Sequence, residues 1–153
     1  MPENPLFEKF NECSYLYLRE ISEPRDHSLR LVVEEAKAGG GRKATRFGYA
    51  KPMGLSTIQP TSGSRSFEVL FNSVIEYLVT NVSDAAAHPG DNYEGTLLRI
   101  YSNSQFLDSV RGRMKADAEN PGAFQHYAVI CLDRIVDVVS TQPPVLADLL
   151  PKT

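Results

Sequence analysis

The feature that most constrains this fold is a series of short segments in which apolar and polar residues alternate, each bounded by turn-forming residues. Alternation with a period of two is typical of β-strands that bury one face. Aromatic and β-branched side chains, which fit a pleated surface, are frequent in these segments. The sequence therefore predicts strands in the following stretches: residues 14–21, 29–35, 53–58, 67–71, 74–81, 93–101 and 124–140.

Three of these stretches leave the arrangement of the chain open. Residues 14–21 and 29–35 flank a polar loop of about seven residues, which predicts an antiparallel hairpin. Residues 124–140 form either two strands that meet near Leu132 or one long strand with a bulge. Residues 72–73 form either a tight turn or a bulge. The total is seven or eight strands.

One segment, residues 103–112, has a clear helical pattern. Ser102 and Gln105 have the spacing of a capping box, in which each side chain bonds a backbone N–H at the start of the helix. Gly112 is a residue type that commonly ends helices. Short helical turns are expected near the termini, including one that begins near Pro144 and ends before Pro151.

These elements predict an α+β, β-rich fold. A parallel doubly wound sheet is disfavoured because the helices are too few to cover both of its faces. We expect a mainly antiparallel sheet or a two-sheet sandwich of about seven to eight strands, with one clear helix at residues 103–112. A length of 153 residues and an ordinary share of apolar residues, 42%, favour a single globular domain over residues 1–153. The Gly-rich stretch around residues 36–52 is predicted to be a mobile loop.

Charge and cysteine usage exclude several classes of protein. No apolar run approaches the roughly 18 residues of a membrane span, and no secretory signal is evident at the N-terminus. A formal net charge of −3 argues against general affinity for nucleic acid. Cys13 and Cys131 stand alone in apolar stretches, so we predict two buried thiols over a long-range disulfide or a reactive thiol. Together these features favour a cytoplasmic protein.

Catalytic and cofactor-binding motifs are missing from the sequence. It has no nucleophile elbow, zinc-binding helix motif, dinucleotide fingerprint or P-loop, so we predict no cofactor. The segment with Asp84, His88 and Asp91 has residue types that ligate metals, but loops enrich aspartate beside Gly and Pro for turn formation. We therefore predict no metal site there.

Three charged or ionisable residues interrupt apolar strands and form the main candidate site. Arg99, His126 and Asp137 each lie among hydrophobic neighbours. A buried charge is costly unless it is paired, so such residues tend to find one another. We predict that they converge on a ligand-binding site, with Tyr127 or Glu76 nearby. The competing interpretation puts each of them on a solvated sheet face or in a simple ion pair.

A basic segment with aromatic residues is the second candidate. Residues 37–51 contain five basic residues and no acid, and Arg42, Lys43, Arg46 and Tyr49 are predicted to form an interface. A solvated loop is the alternative interpretation. Binding of an anionic polymer by this loop is a weaker hypothesis.

These patterns favour a non-enzymatic module that binds another protein, because no catalytic constellation is present and several tyrosines and arginines are available for an interface. In its size, its many strands and its lack of motifs, the chain resembles small bacterial proteins, including some that neutralise toxins. This likeness is general and assigns no role to any residue. The alternative is a small-ligand binder or a hydrolase that uses Arg99, His126 and Asp137. Enzymatic activity is left open.

Overall fold

The computed structural model describes residues 5–38, 58–60, 64–86, 88–114 and 124–149. This part of the chain forms two antiparallel five-stranded sheets and two short helices, which confirms the predicted α+β, β-rich class. The helices are α1 (Pro5–Glu12) and α2 (Gln105–Arg113). The strands are β1 (Tyr15–Ser22), β2 (Leu29–Ala38), β3 (Ile58–Pro60), β4 (Ser66–Phe71), β5 (Val74–Asn81), β6 (Asn92–Glu94), β7 (Leu98–Asn103), β8 (Gln125–Ile130), β9 (Arg134–Ser140) and β10 (Val145–Leu149).

The first sheet has the strand order β1-β2-β4-β10, and the short β3 pairs with the far end of β2. The predicted hairpin of β1 and β2 is confirmed, with a bulge between Leu18 and Glu20. Leu29, Leu31 and Val33 on β2 are fully buried, because strand alternation directs all three toward the interior. The intervening residues carry a network of partly exposed ion pairs on the outer surface, in which Arg30 binds carboxylates on both neighbouring strands.

The second sheet has the order β5-β9-β8-β7-β6, and it contains the elements that build the site. β8 and β9 form an antiparallel hairpin, which decides between the two predicted arrangements of residues 124–140 in favour of two strands. Residues 72–73 are neither a hairpin turn nor a bulge within one sheet, since β4 belongs to the first sheet and β5 to the second.

The two sheets enclose one hydrophobic core. From the first sheet it takes Phe67 and Phe71, and from the second Val129 and Val136. The ring of Phe71 lies 5.5 Å from that of Tyr127, so the inner faces of the two sheets contact each other directly. The core also contains Cys13 and Cys131, which are both free and buried, as predicted.

Helix α1 covers one end of the core, and the side-chain amide of Asn11 links it to the turn between β6 and β7. The ring of Phe10 on its buried face lies 5.2 Å from that of Phe67. Asn11 Oδ1 accepts hydrogen bonds from the backbone N–H groups of residues 96, 97 and 98, at 2.8, 2.6 and 2.9 Å. The helix therefore holds the turn between β6 and β7 in place, and this turn carries Arg99 at its end.

Three further predictions of local structure differ from what is observed. Residues 93–101 form two strands, β6 and β7, because Gly95 adopts a left-handed φ of 94° that turns the chain. The C-terminal segment forms β10 instead of a helical turn, since pairing with β4 satisfies its backbone and buries Leu146. Helix α2 is confirmed, but its N-cap is Ser104 instead of Ser102, and Gly112 lies within the helix.

The predicted loop at residues 36–52 is described only at its start, where β2 continues to Ala38. Residues 39–52 lie outside the described residues, as do residues 53–57 of the predicted strand 53–58. Within the described ranges, the longest helix has nine residues, and no helix is long and apolar enough to cross a membrane.

Candidate functional site

The outer face of the second sheet, which points away from the core, is covered over only part of its area. Helix α2 lies across one end, where Leu107 and Val110 pack against Val139 of β9. Toward the other end of the strands the same face is not covered by this helix. The end covered by α2 and the uncovered end together form a concavity, and the sheet is its floor.

Strand register brings the predicted polar residues together on this outer face. Arg99 of β7 lies opposite Ala128 of β8, which lies opposite Asp137 of β9. In the adjacent row, Tyr101 of β7 lies opposite His126 of β8. Because side chains alternate along each strand, all of these residues point to the same side of the sheet.

His126 is bonded through both ring nitrogens. Its Nε2 lies 2.8 Å from Asp137 Oδ1, and its Nδ1 lies 2.7 Å from Ser104 Oγ. The imidazole is 2% exposed. A buried polar ring is tolerated when its hydrogen-bonding groups are satisfied, which is the case here.

The cap of α2 is compatible with a neutral imidazole at His126. Ser104 Oγ accepts a hydrogen bond from the backbone N–H of Leu107 at 3.0 Å, and its hydroxyl proton is available to donate to His126 Nδ1. In the tautomer with the proton on Nε2, His126 donates a hydrogen bond to the Asp137 carboxylate. A neutral imidazole thus satisfies every group in the chain from Leu107 to Asp137.

Aromatic rings fix the imidazole in this orientation. The Tyr101 ring stacks on His126 with 4.1 Å between centroids and 9° between planes, and Phe106 meets it edge-on at 5.1 Å. Tyr101 is itself 5.0 Å from the ring of Tyr93 on β6. Burial raises the pKa of the Tyr101 hydroxyl, and the nearby Arg99 guanidinium partly opposes this effect.

Arg99 is held against the same aromatic group. Its guanidinium carbon lies 4.3 Å from the centre of the Tyr93 ring, a cation–π arrangement. Nε donates to the backbone carbonyl of Thr96 at 3.0 Å, and Nη1 lies 3.5 Å from the Tyr101 hydroxyl. The guanidinium is therefore positioned by the β6–β7 turn.

These side chains line a cavity of about 630 Å³. Its apolar floor includes Leu78, Ile130 and Ile135. The segment that follows β5 contributes further lining residues, namely Asp84, Ala85, Ala86, His88, Pro89 and Asp91. Helix α2 contributes Gln105, Phe106 and Ser109.

Of the predicted ligand-binding residues, Arg99, His126 and Asp137 all line this cavity. Tyr127 does not, because it follows His126 on the strand and points to the opposite face, where it is buried against Phe71. Burial there raises the pKa of Tyr127 to about 12. Glu76 also lies apart from the cavity wall.

Glu76 instead binds Arg113 at the end of α2, with contacts of 2.7 and 3.1 Å. The predicted interface residues Arg42, Lys43, Arg46 and Tyr49 lie outside the described residues, so the protein-binding role assigned to them stays a prediction.

Sequence reasoning did not place Ser104 or the two adjacent tyrosines, Tyr93 and Tyr101, in this site. The serine had a usable signal, since it stands directly before Gln105 and three residues before Leu107, the spacing of an N-cap with its N3 residue. The tyrosines had none, because their approach depends on the turn at Gly95.

The arrangement is suited to binding more than to nucleophilic catalysis. Ser104, His126 and Asp137 form a linear hydrogen-bonded chain, but Ser104 is 3% exposed and is not part of the cavity wall. Its hydroxyl is engaged at both ends by Leu107 and His126. Asp84, His88 and Asp91 share the cavity, yet no group of three His, Cys, Asp or Glu within the described ranges is arranged to hold a metal ion.

No family model, curated protein sequence or solved structure shows significant similarity to this chain.

Proposed function

We propose that this protein binds a small polar organic molecule in the cavity on the outer face of the second sheet. The observation that carries the proposal is the pair Arg99 and Asp137, which line one cavity and each keep a polar atom directed to no other group. Within the described part of the chain, Arg99 Nη2 and Asp137 Oδ2 have no hydrogen-bond partner. Fixed donors and acceptors of this kind orient ligands.

The size and composition of the cavity support the same proposal. Small-molecule sites have volumes of roughly 300–1,000 Å³, and 630 Å³ lies within this range. Such sites combine an apolar lining with a few placed polar groups. Here Leu78, Ile130 and Ile135 provide the apolar surface, while the two charged side chains stand at separate points of the wall.

His126 supports binding through Asp137. It is too deeply buried and too fully bonded to be a main contact of the ligand. By holding Asp137 Oδ1, it fixes the carboxylate so that Oδ2 keeps one position. A preorganised acceptor loses less conformational entropy when a ligand binds. His126 is thus a positioning residue.

A fragment titration tests the proposal. The ¹⁵N-labelled protein is titrated with a panel of small hydroxy acids, amines, sugars and nucleosides, and amide shifts are followed by NMR. At least one class is expected to shift amides of β7, β8 and β9 and of residues 84–91. Shifts that map only to the first sheet, or the absence of binding by every class, would contradict the proposal.

A matched pair of variants on β5 tests whether the ligand binds in this cavity. Thr80 lines the cavity, whereas its neighbour Val79 points to the other side of the strand and is not part of the lining. Thr80→Trp is expected to fill the cavity and abolish the shifts, and Val79→Trp is expected to leave them unchanged. Thermal melts of both variants verify that each is folded.

A further inference from the structure

Within the described part of the chain, Arg99 has a fixed position at the cavity without a carboxylate partner. Five other described arginines lie within 4.0 Å of an acidic side chain: Arg19, Arg30, Arg65, Arg113 and Arg134. In the described part of the chain, Arg25 and Arg111 have no carboxylate within 4.0 Å; Arg25 binds Asn72, and Arg111 is exposed. Within the described part of the chain, no carboxylate lies within that distance of Arg99. Its guanidinium is instead held by the Thr96 carbonyl and the Tyr93 ring. A planar, preorganised cation of this kind is suited to bidentate binding of a carboxylate.

The cavity is nevertheless acidic as a whole. Arg99 faces three aspartates in the lining, Asp84, Asp91 and Asp137, which gives a formal charge of −2 with neutral histidines. Asp91 already accepts a hydrogen bond from the backbone N–H of Gln105. Within the described residues, Asp84 and Asp137 keep carboxylate oxygens available to a ligand. A purely anionic ligand would be repelled by this lining.

A ligand that carries both a positive and a negative charge matches Arg99 and Asp137 better than a ligand with only one of them. Arg99 and Asp137 stand in one row across three strands, two strand spacings or roughly 10 Å apart at their Cα atoms. Only the small side chain of Ala128 lies between them, and it is fully covered by its neighbours. The charged ends of the two side chains can therefore reach one short molecule.

On the basis of the proposed function, we infer that the ligand is a small zwitterion, an amino acid or short peptide, whose carboxylate binds Arg99 and whose ammonium group binds Asp137. The apolar floor of Leu78, Ile130 and Ile135 contacts its hydrocarbon side chains. A volume of 630 Å³ accommodates a dipeptide.

Three dipeptide analogues test this inference. Leucyl-leucine has both charges, N-acetyl-leucyl-leucine lacks the ammonium group, and leucyl-leucinamide lacks the carboxylate. Isothermal calorimetry and amide NMR shifts are used to measure each affinity for the intact protein. The zwitterion is expected to bind at least about tenfold more tightly than either analogue, since each analogue loses one charge-assisted contact.

Charge-removing variants assign each end of the ligand. Arg99→Gln is expected to weaken leucyl-leucine at least about tenfold and to remove its advantage over the amide. Asp137→Asn is expected to remove its advantage over the acetylated analogue. Arg111→Gln and Asp26→Asn, which change the same charges at exposed positions without an ion pair in the described chain, are expected to leave all three affinities unchanged.

The outcomes separate this inference from the proposed function. Equal affinities for the three analogues in the wild-type protein overturn the inference, whether or not the variants fold. Failure of all three dipeptides to bind, while another class in the fragment panel shifts the cavity amides, also overturns it and leaves the proposed function standing. If no class shifts those amides, both are wrong.

Discussion

A buried imidazole is stable in an apolar strand only when both of its nitrogens are bonded. His126 meets this condition with one partner from the next strand, Asp137, and one from a helix cap, Ser104. The same bonds restrain the two partners. The stability of this part of the sheet and the geometry of the cavity wall therefore depend on one side chain.

His126→Phe tests this dependence. Phenylalanine keeps the aromatic contacts with Tyr101 and Phe106 but removes both hydrogen bonds, which leaves a carboxylate and a serine hydroxyl without their partner. We expect the free energy of unfolding to fall by about 2–4 kcal/mol, the cost of two partly buried polar groups left unsatisfied. Urea denaturation followed by circular dichroism measures the change.

His88→Phe is the matched control for this substitution. His88 also lines the cavity, but it is exposed. Its replacement is expected to change the free energy of unfolding by less than about 0.5 kcal/mol. Equal effects of the two substitutions would show that the hydrogen bonds of His126 do not stabilise the fold.

For individual residues, the sequence indicated which side chains need a polar partner but not which face of the sheet each side chain points to. Arg99, His126 and Asp137 could be identified because a charged or polar residue in an apolar strand needs a partner. Tyr127 could not be excluded by the same rule, because alternation assigns residues to two faces without saying which face is the interior. The partner Ser104 comes from a helix cap, and the register of that cap was misplaced by two residues.

Elements whose pattern is local were predictable, and elements that depend on distant partners were not. β1, β2, β4, β5 and the β8–β9 pair follow from alternation within each segment. β10 has an ambiguous sequence, and it becomes a strand because β4, far away in the chain, offers an open edge. The eight-residue α1 was anticipated only as a terminal turn, since its stability comes from packing of Phe7 and Phe10.

The β6–β7 turn is the element on which the aromatic side of the cavity depends. Gly95 has a φ of 94°, and a Cβ at this position would overlap the carbonyl oxygen of Leu98. Gly95→Ala is therefore expected to lower the free energy of unfolding by about 1–3 kcal/mol. It should also weaken any ligand bound in the cavity, because the turn positions Arg99 against Tyr93.

Gly90→Ala provides the comparison. Gly90 lies in the loop that precedes β6, and a Cβ there would meet no atom within 4 Å. Its substitution is expected to leave the free energy of unfolding unchanged or to raise it slightly. Thermal and urea denaturation of the two variants check the prediction, and a Gly95→Ala protein as stable as Gly90→Ala would contradict it.

For the whole molecule, composition and charge predicted the class but not the layering of the sheets. The near-neutral total combines a basic part up to Ser66, with ten basic and eight acidic residues, and an acidic remainder with six and eleven. The acidic part contains the second sheet and the cavity. Which strands belong to which sheet could not be inferred, because the chain changes sheets at residues 72–73 without a distinctive turn sequence.

The core shared by the two sheets contains two thiols that are expected to make the stability of the fold decrease at alkaline pH. Burial raises the pKa of the Cys13 thiol to about 11, with a further contribution from Glu35, and that of Cys131 to about 12, with a further contribution from Asp133. In the unfolded chain both thiols ionise near their ordinary pKa of 9.0. Their contribution to stability is thus complete below pH 9 and is lost as the pH rises through 11 to 12.

The double variant Cys13→Ala/Cys131→Ala isolates this contribution from that of other alkaline groups. Its melting temperature is expected to be lower than that of the wild type at pH 8, because two buried sulfur atoms are removed. Above pH 9 it should fall less steeply, since the unfolded chain no longer gains thiolates. In the wild type, a disulfide reagent at pH 8 should modify the thiols only at the rate of unfolding. Parallel pH slopes for the two proteins, or rapid modification of the folded wild type, would show that the thiols are not protected by the core.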